Sequence, residues 1–135
     1  MTYLLDTNVC IRLLNNTSPA VTARLAAQQP EDIYICTVTQ MELYYGAYRS
    51  AQQERNLALL ERFFSQFTIV PLDTAASRIA GRIRAELAAI GTPIGPYDSQ
   101  IAAIALANNL ILVTHNTDEF RRVNALQIED WEEEN

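Results

Sequence analysis

With 135 residues and a hydrophobic fraction of 49%, the chain suits one compact domain with a real core and is too apolar to be disordered throughout. Its net charge of −6 weighs against capture of nucleic acid by bulk attraction, and it lacks the run of about 18 apolar residues that a membrane span needs. The N-terminus also lacks the basic-then-apolar pattern of a secretory signal, so a cytoplasmic location is expected.

The charge is unevenly spread. Glu129, Asp130, Glu132, Glu133 and Glu134 supply five of the 16 acids, which leaves 11 against the ten basic residues. All ten basic residues are Arg. Arg grips phosphate with paired hydrogen bonds, so this usage is compatible with RNA. Cys10 and Cys36 form no CxxC pair and sit among apolar residues, as buried, reduced thiols do.

In chain order, residues 2–5 read as a short buried strand, and Asn8 to Leu14 as a short helix. Ser18-Pro19 is an N-cap followed by Pro at the first helical position, which opens a helix over 19–28. Pro30 ends it, and Ile33 to Cys36 is the second strand. Thr39-Gln40-Met41-Glu42 fits a capping box that opens a helix to about Ser50. Residues 52–66 are helical in period, and Thr68 to Val70 is the third strand. Asp73 or Thr74 caps a long helix to about Ile90, with Ile79, Ile83, Leu87 and Ile90 on its core face. Gly91 closes it, and the Gly/Pro-rich loop 91–97 leads to a helix that starts at Asp98. Leu110 to Thr114 is the fourth strand, 117–122 a helical turn, and Leu126 to Ile128 a candidate last strand. Alternation of strands and helices predicts an α/β fold: a three-layer α/β/α sandwich around a mostly parallel sheet of four or five strands. One domain over 1–135 is expected, with an acidic tail from about 129, which Trp131 suggests is docked.

Four acids share one context. Asp6 ends the first strand, Glu42 opens a helical segment after the second, Asp98 opens an alanine-rich helix, and Glu119, with Asp118 beside it, follows the fourth strand. Taken singly, Asp6, Asp98 and Asp118 read equally well as helix caps, and Glu42 as the capping-box partner of Thr39. Taken together, the repeated placement gathers carboxylates at one edge of a parallel sheet. Crowded carboxylates repel and call for a cation, and hard oxygen donors select Mg²⁺ or Mn²⁺ over zinc. The pattern therefore points to a metal-dependent enzyme that acts on phosphate.

The blocks Leu5-Asp6-Thr7-Asn8, Thr39 to Glu42, Gly91 to Asp98 followed by Ile101-Ala102-Ala103, Val113 to Asn116, and Glu119-Phe120 together resemble a PIN-domain ribonuclease. More narrowly, the chain resembles the VapC toxins of bacterial type II toxin–antitoxin systems, over essentially its whole length. The resemblance implies that Asp6 and Asp98 bind the catalytic metal and that Glu42 acts through the metal or its waters. It places the fourth acid at Glu119, with Asn116 as polar helper and Asp118 as rival. It gives Thr7 and Asn8 the task of orienting Asp6 or a bound water, and Thr114 that of supporting the fourth acid. It also implies a cognate VapB-like antitoxin that sends an Arg into the acids, and a homodimer formed through helices. Met41, Leu43, Tyr44, Tyr45 and Tyr48, with Phe63, Phe64 and Phe67, offer an apolar face that serves a dimer or the core equally well.

The implied chemistry is RNA phosphodiester hydrolysis by metal-activated water, leaving 5′-phosphate and 3′-hydroxyl ends. Structured RNA, tRNA included, is the implied substrate. Arg82, Arg84 and Arg12 are candidates for phosphate contact, and Tyr97 for stacking on a base. His115 is the only histidine, so no HExxH-type zinc site exists, and a polar strand-end role suits it. Response-regulator receivers and haloacid-dehalogenase-type phosphatases also place acids at strand ends, but both need a lysine that this chain lacks. A PIN-like binding module with a dead site is the non-enzymatic alternative, and retention of all four acids argues against it.

Overall fold

A computed structural model describes residues 1–132. Its strands are β1 (Tyr3–Leu5), β2 (Ile33–Cys36), β3 (Thr68–Val70), β4 (Ile111–Val113) and β5 (Ile128–Glu129). They form one sheet in the order β3-β2-β1-β4-β5, and every pairing is parallel. Helices α1 (Thr7–Asn15), α2 (Pro19–Ala26), α3 (Thr37–Arg49), α4 (Gln53–Phe64), α5 (Thr74–Ala89), α6 (Pro96–Ala107) and α7 (Thr117–Phe120) fill the connections.

The layering follows from strand alternation. Leu4 points to one face, where α5 and α6 pack through Ala76, Ala80, Ile83, Leu87 and residues 101–105. Tyr3 and Leu5 point to the other, where Val9, Val21, Leu43, Leu60, Phe63 and Phe64 of α1 to α4 cover the sheet. The expected three-layer α/β/α sandwich is what forms, with five strands and a fully parallel sheet. Among the described residues no helix is long and apolar enough to cross a membrane.

The strand order places the site. The chain winds outward from β1 through β2 to β3, then crosses back so that β4 lies on the other side of β1. The winding reverses between β1 and β4, which leaves a crevice beyond their carboxyl ends. Asp6 leaves β1 at that crevice, its N–H bonded to the Val113 carbonyl of β4 at 3.1 Å.

Several local expectations hold. Ser18 caps α2 with Pro19 at its first position, and Asp73 caps α5 through the Ala76 N–H. Gly91, at φ +74°, ends α5; its N–H reaches the Ala88 carbonyl and that of Thr92 reaches Leu87, the paired bonds of a Schellman stop. Both thiols are free and buried.

Others are corrected. Helix α3 begins at Thr37 with Cys36 as N-cap, so Thr39 and Glu42 lie inside the helix and make no capping box. Helix α6 begins at Pro96, which puts Asp98 third in the first turn and Gly95 at the N-cap. Pro at the first helical position set that start. Ile90 is 71% exposed, because α5 stops before that residue can turn inward; the small Ala76 and Ala80 occupy the core face instead. In the acidic tail, Glu129 is part of β5 and Trp131 is 1% exposed, packed edge-on against Tyr3. Residues 133–135 lie outside the described chain.

Candidate active site

Asp6 is both a helix cap and a candidate site residue. It is 5% exposed, and its Oδ1 accepts the Val9 N–H of α1 at 2.9 Å. The Thr114 hydroxyl also bonds to it. Burial is the main reason its carboxyl is pushed up from the usual range, with Glu132 and Glu42 adding like charge and the Thr114 and Val9 bonds opposing.

Glu42 reaches the crevice from α3. Its Oε1 accepts the Thr7 hydroxyl at 2.7 Å, and Thr7 and Thr39 hydroxyls lie 3.0 Å apart. Because Thr7 has a single proton and directs it at Glu42, Thr39 donates to Thr7. The Cys36 thiol, 3.6 Å from Thr39, completes a chain of donors ending on the Glu42 carboxylate. Thr39 is therefore a strut between α1 and α3.

Asp98 and Glu119 form the centre of the crevice. Glu119 Oε1 accepts the Gly95 N–H at 2.9 Å, and Oε2 accepts the Asn116 side-chain amide. Burial alone would raise the Glu119 pKa, but the Gly95 N–H, the Asn116 amide, a hydrogen bond from Asp98 and the charge of Arg122 together hold it below the ordinary value. Asp98 moves the other way, to about 7: burial raises it, and so do the Glu119 charge and hydrogen bond and the charges of Asp6 and Glu42. The contact between the two carboxyls thus works in opposite directions, raising Asp98 and lowering Glu119. The other three acids are all within electrostatic reach of Asp98.

The rival acid stands apart. The Asp118 side chain is 96% exposed and meets Arg121 at 3.8 Å. Thr7 holds Glu42 rather than Asp6, and Asn8 is exposed. Thr114 bonds Asp6 and supports the fourth acid one step removed, by accepting the Asn116 N–H at 3.0 Å. Of the Arg candidates, Arg82 pairs with Glu86 at 3.6 Å on the surface, and Arg84 lines an open groove with Gly81, Ala88, Pro93 and Ile94. Arg12 Nε donates to Glu132 at 2.9 Å, which ties the side chain to the C-terminal turn while leaving it 42% exposed. Tyr97 is 46% exposed beside Asp98.

Three contributors had no distinct signal in the sequence. The Gly95 N–H is a backbone donor, which no side-chain pattern encodes. Ser99, 0% exposed, closes the first turn of α6 by donating to the Pro96 carbonyl at 2.7 Å. Arg122 donates to the Pro93 carbonyl at 3.1 Å, tying the loop before Asp98 to the turn after Glu119.

Residues 3–126 match the PIN domain family. The chain is 46% identical over 129 residues to the tRNA(fMet)-specific endonuclease VapC of Shigella flexneri, covering 96% of this chain and 97% of that one. It is 40% identical to Ribonuclease VapC2 of Haemophilus influenzae, over 96% of this chain and 97% of that protein. The chain belongs to the VapC family of PIN-domain ribonucleases. The resemblance carried by the Asp6, Glu42, Asp98 and Glu119 blocks is thereby established. Among solved structures, the crystal structure of DNA-bound VapBC from Salmonella typhimurium superposes with a TM-score of 0.90 at 43% identity, covering 97% of this chain and 98% of that one.

The donor set suits the metal expected for a VapC-family site. All four side chains are carboxylates, the hard donors that Mg²⁺ and Mn²⁺ prefer. Asp98 is raised to about 7 by burial and then by three like charges, and a divalent cation relieves that repulsion.

Proposed function

We propose that this VapC-family ribonuclease is a Mg²⁺-dependent endoribonuclease toxin, with Mn²⁺ as a working substitute, and that Asp6, Glu42, Asp98 and Glu119 form its active site. One observation carries this reading: Asp98 and Glu119 meet at Gly95, within the field of Asp6 and Glu42, at the point where the sheet reverses its winding. Asp6 and Asp98 would hold the ion, which when bound supplies charge withdrawal from the scissile phosphate and a more acidic water. The chain's own residues do the rest. Thr114 and the Val9 N–H aim Asp6. The Gly95 N–H and Asn116 hold both oxygens of Glu119 toward Asp98. Thr7 fixes the Glu42 carboxylate, which would act through the ion or its waters. Arg84, in its groove beside the Pro93-Ile94 loop, and the exposed Tyr97 are positioned to receive the RNA backbone and a base, with Arg82 further out.

The name of the Shigella flexneri relative supports a tRNA substrate, tRNA(fMet) first. VapBC complexes among the similar structures support a cognate VapB-like antitoxin, which would cover the acid cluster in a cytoplasmic complex. Met41, Tyr45 and Tyr48, at 42%, 60% and 60% exposed, support an α3-based homodimer, whereas Leu43, Phe63 and Phe64 are core.

The test is cleavage of total RNA by antitoxin-free protein with Mg²⁺ or EDTA, beside Asp6→Asn. The expected result is discrete fragments with 5′-phosphate ends that vanish with EDTA and in a folded Asp6→Asn protein. Cleavage that survives Asp6→Asn, or ends carrying 2′,3′-cyclic phosphate, overturns the assignment.

A further inference from the structure

A second group of ligand-type side chains lies beyond the ends of β4 and β5, outside the four-acid site. His115 Nδ1 is 2.9 Å from Asp130 Oδ2 and 3.8 Å from Glu132 Oε2. The three donor atoms all lie within 4.8 Å of one another.

Both carboxylates are held by their other oxygen. Asp130 Oδ1 accepts the Glu132 N–H at 2.9 Å, and Glu132 Oε1 accepts Arg12 Nε at 2.9 Å. The residue between them, Trp131, is 1% exposed and fixes the turn that carries both. Asp130 Oδ2 and Glu132 Oε2 are thus left to converge on the imidazole, each oriented by an outer partner in the manner of supported metal ligands. The imidazole side is open to solvent, with the His115 side chain 59% exposed.

We propose that His115, Asp130 and Glu132 form a binding site for a borderline divalent cation of the Zn²⁺ class, separate from the Mg²⁺ site. One nitrogen and two oxygens suit such an ion better than Mg²⁺, which favours oxygen alone. The Arg12 charge on the far oxygen of Glu132 offsets one carboxylate, so attraction by charge alone is weak and the ion must bond to nitrogen. Tetrahedral zinc with bonds of about 2.0–2.1 Å places its ligands roughly 3.3–3.4 Å apart. The two separations from His115 Nδ1, 2.9 and 3.8 Å, straddle that value, so each of those pairs needs to shift by about half an ångström. The ion displaces any proton that Nδ1 shares with Asp130, and water takes the fourth position. Bound there, it would clamp the two-residue edge strand β5 to the end of β4. The site does not depend on the catalytic reading.

The single histidine makes the test direct. Untagged full-length protein is titrated with Zn²⁺ in excess Mg²⁺, which occupies the oxygen-only site. Calorimetry and the imidazole ¹⁵N resonances of His115 are followed. One equivalent of Zn²⁺ is expected to bind and shift the Nδ1 resonance, with saturable binding retained in Asp6→Asn and affinity lowered about tenfold or more in His115→Ala. The buried thiols of Cys10 and Cys36 are out of reach of the added ion. No saturable Zn²⁺ binding, no movement of the Nδ1 resonance, or a His115→Ala protein that binds like the parent overturns the site.

Discussion

Asp98 and Glu119 show how two carboxyls acquire different properties from their neighbours. Glu119 has a backbone N–H and an amide to stabilise its charge, while Asp98 has mainly burial and like charges. An Asp98 carboxyl raised to about 7 stabilises the metal-free fold fully below its ordinary pKa and loses that contribution as pH climbs through about 7. Glu119, shifted down, contributes above its ordinary pKa and loses that contribution as pH falls below it, so the fall in stability with rising pH comes from Asp98 together with Asp6 and His115, which are raised in the same direction. The unfolding midpoint of EDTA-treated protein should therefore fall from pH 5 to 8, and Asp98→Asn should lessen that fall. A midpoint equally steep in the variant would show that Asp98 is not among the titrating groups. The same geometry separates Glu119 from its neighbour. Glu119→Gln should lower kcat/KM about 10–100-fold, as loss of a metal-site group does. Asp118→Asn, at a solvated position, should stay within about twofold. Equal losses in RNA cleavage assays would contradict the assignment.

At the scale of elements, the site is a meeting of helix starts and loops braced by hydroxyls. Thr7 of α1, Thr39 of α3 and the Cys36 thiol pass donors one to the next until the chain ends on Glu42. Thr7→Val keeps the shape but leaves the Glu42 carboxylate without this donor and the buried Thr39 hydroxyl without its acceptor. About 1–3 kcal/mol of stability should be lost, read from urea unfolding. A Thr7→Val protein as stable as the parent would mean water replaces the link. This brace explains why Thr39-x-x-Glu42 reads as a capping box in one dimension. The same residue types at the same spacing serve capping at a helix start and bracing one turn inside it. Which applies depends on where the helix begins, and the strand end at Cys36 decided that.

For the whole molecule, Trp131 closes the edge of the sheet. Its ring lies 5.3 Å from Tyr3 and its Nε1 donates to Glu129 at 3.1 Å, while the Arg24 guanidinium sits 5.8 Å from the ring. Strand β5 has two residues, so the indole contributes most of what fastens it. Trp131→Ala should cost about 3–5 kcal/mol in chemical denaturation, in the range of large aromatic deletions. A loss under about 1 kcal/mol would show that the tail is fastened by its ion pairs instead.

The amino-acid sequence by itself determined the element types, the parallel layering and the identity of four acids in one recurring context. Apolar strand runs, helix period, Pro19, Gly91 and the strand-end placement of Asp6 are local signals, and local physics reads them. What the tertiary structure decided is what depends on distant partners. It chose Glu119 over Asp118 for contact with Asp98, because only one of two adjacent residues on a helical turn can face the Gly95 N–H. It paired Arg12 with Glu132, 120 positions away. It buried Trp131 and left Ile90 in water, since burial belongs to surfaces that meet and not to residue types. Sequence patterns carry the chemistry a residue is capable of. The fold assigns each residue the neighbour on which that chemistry acts.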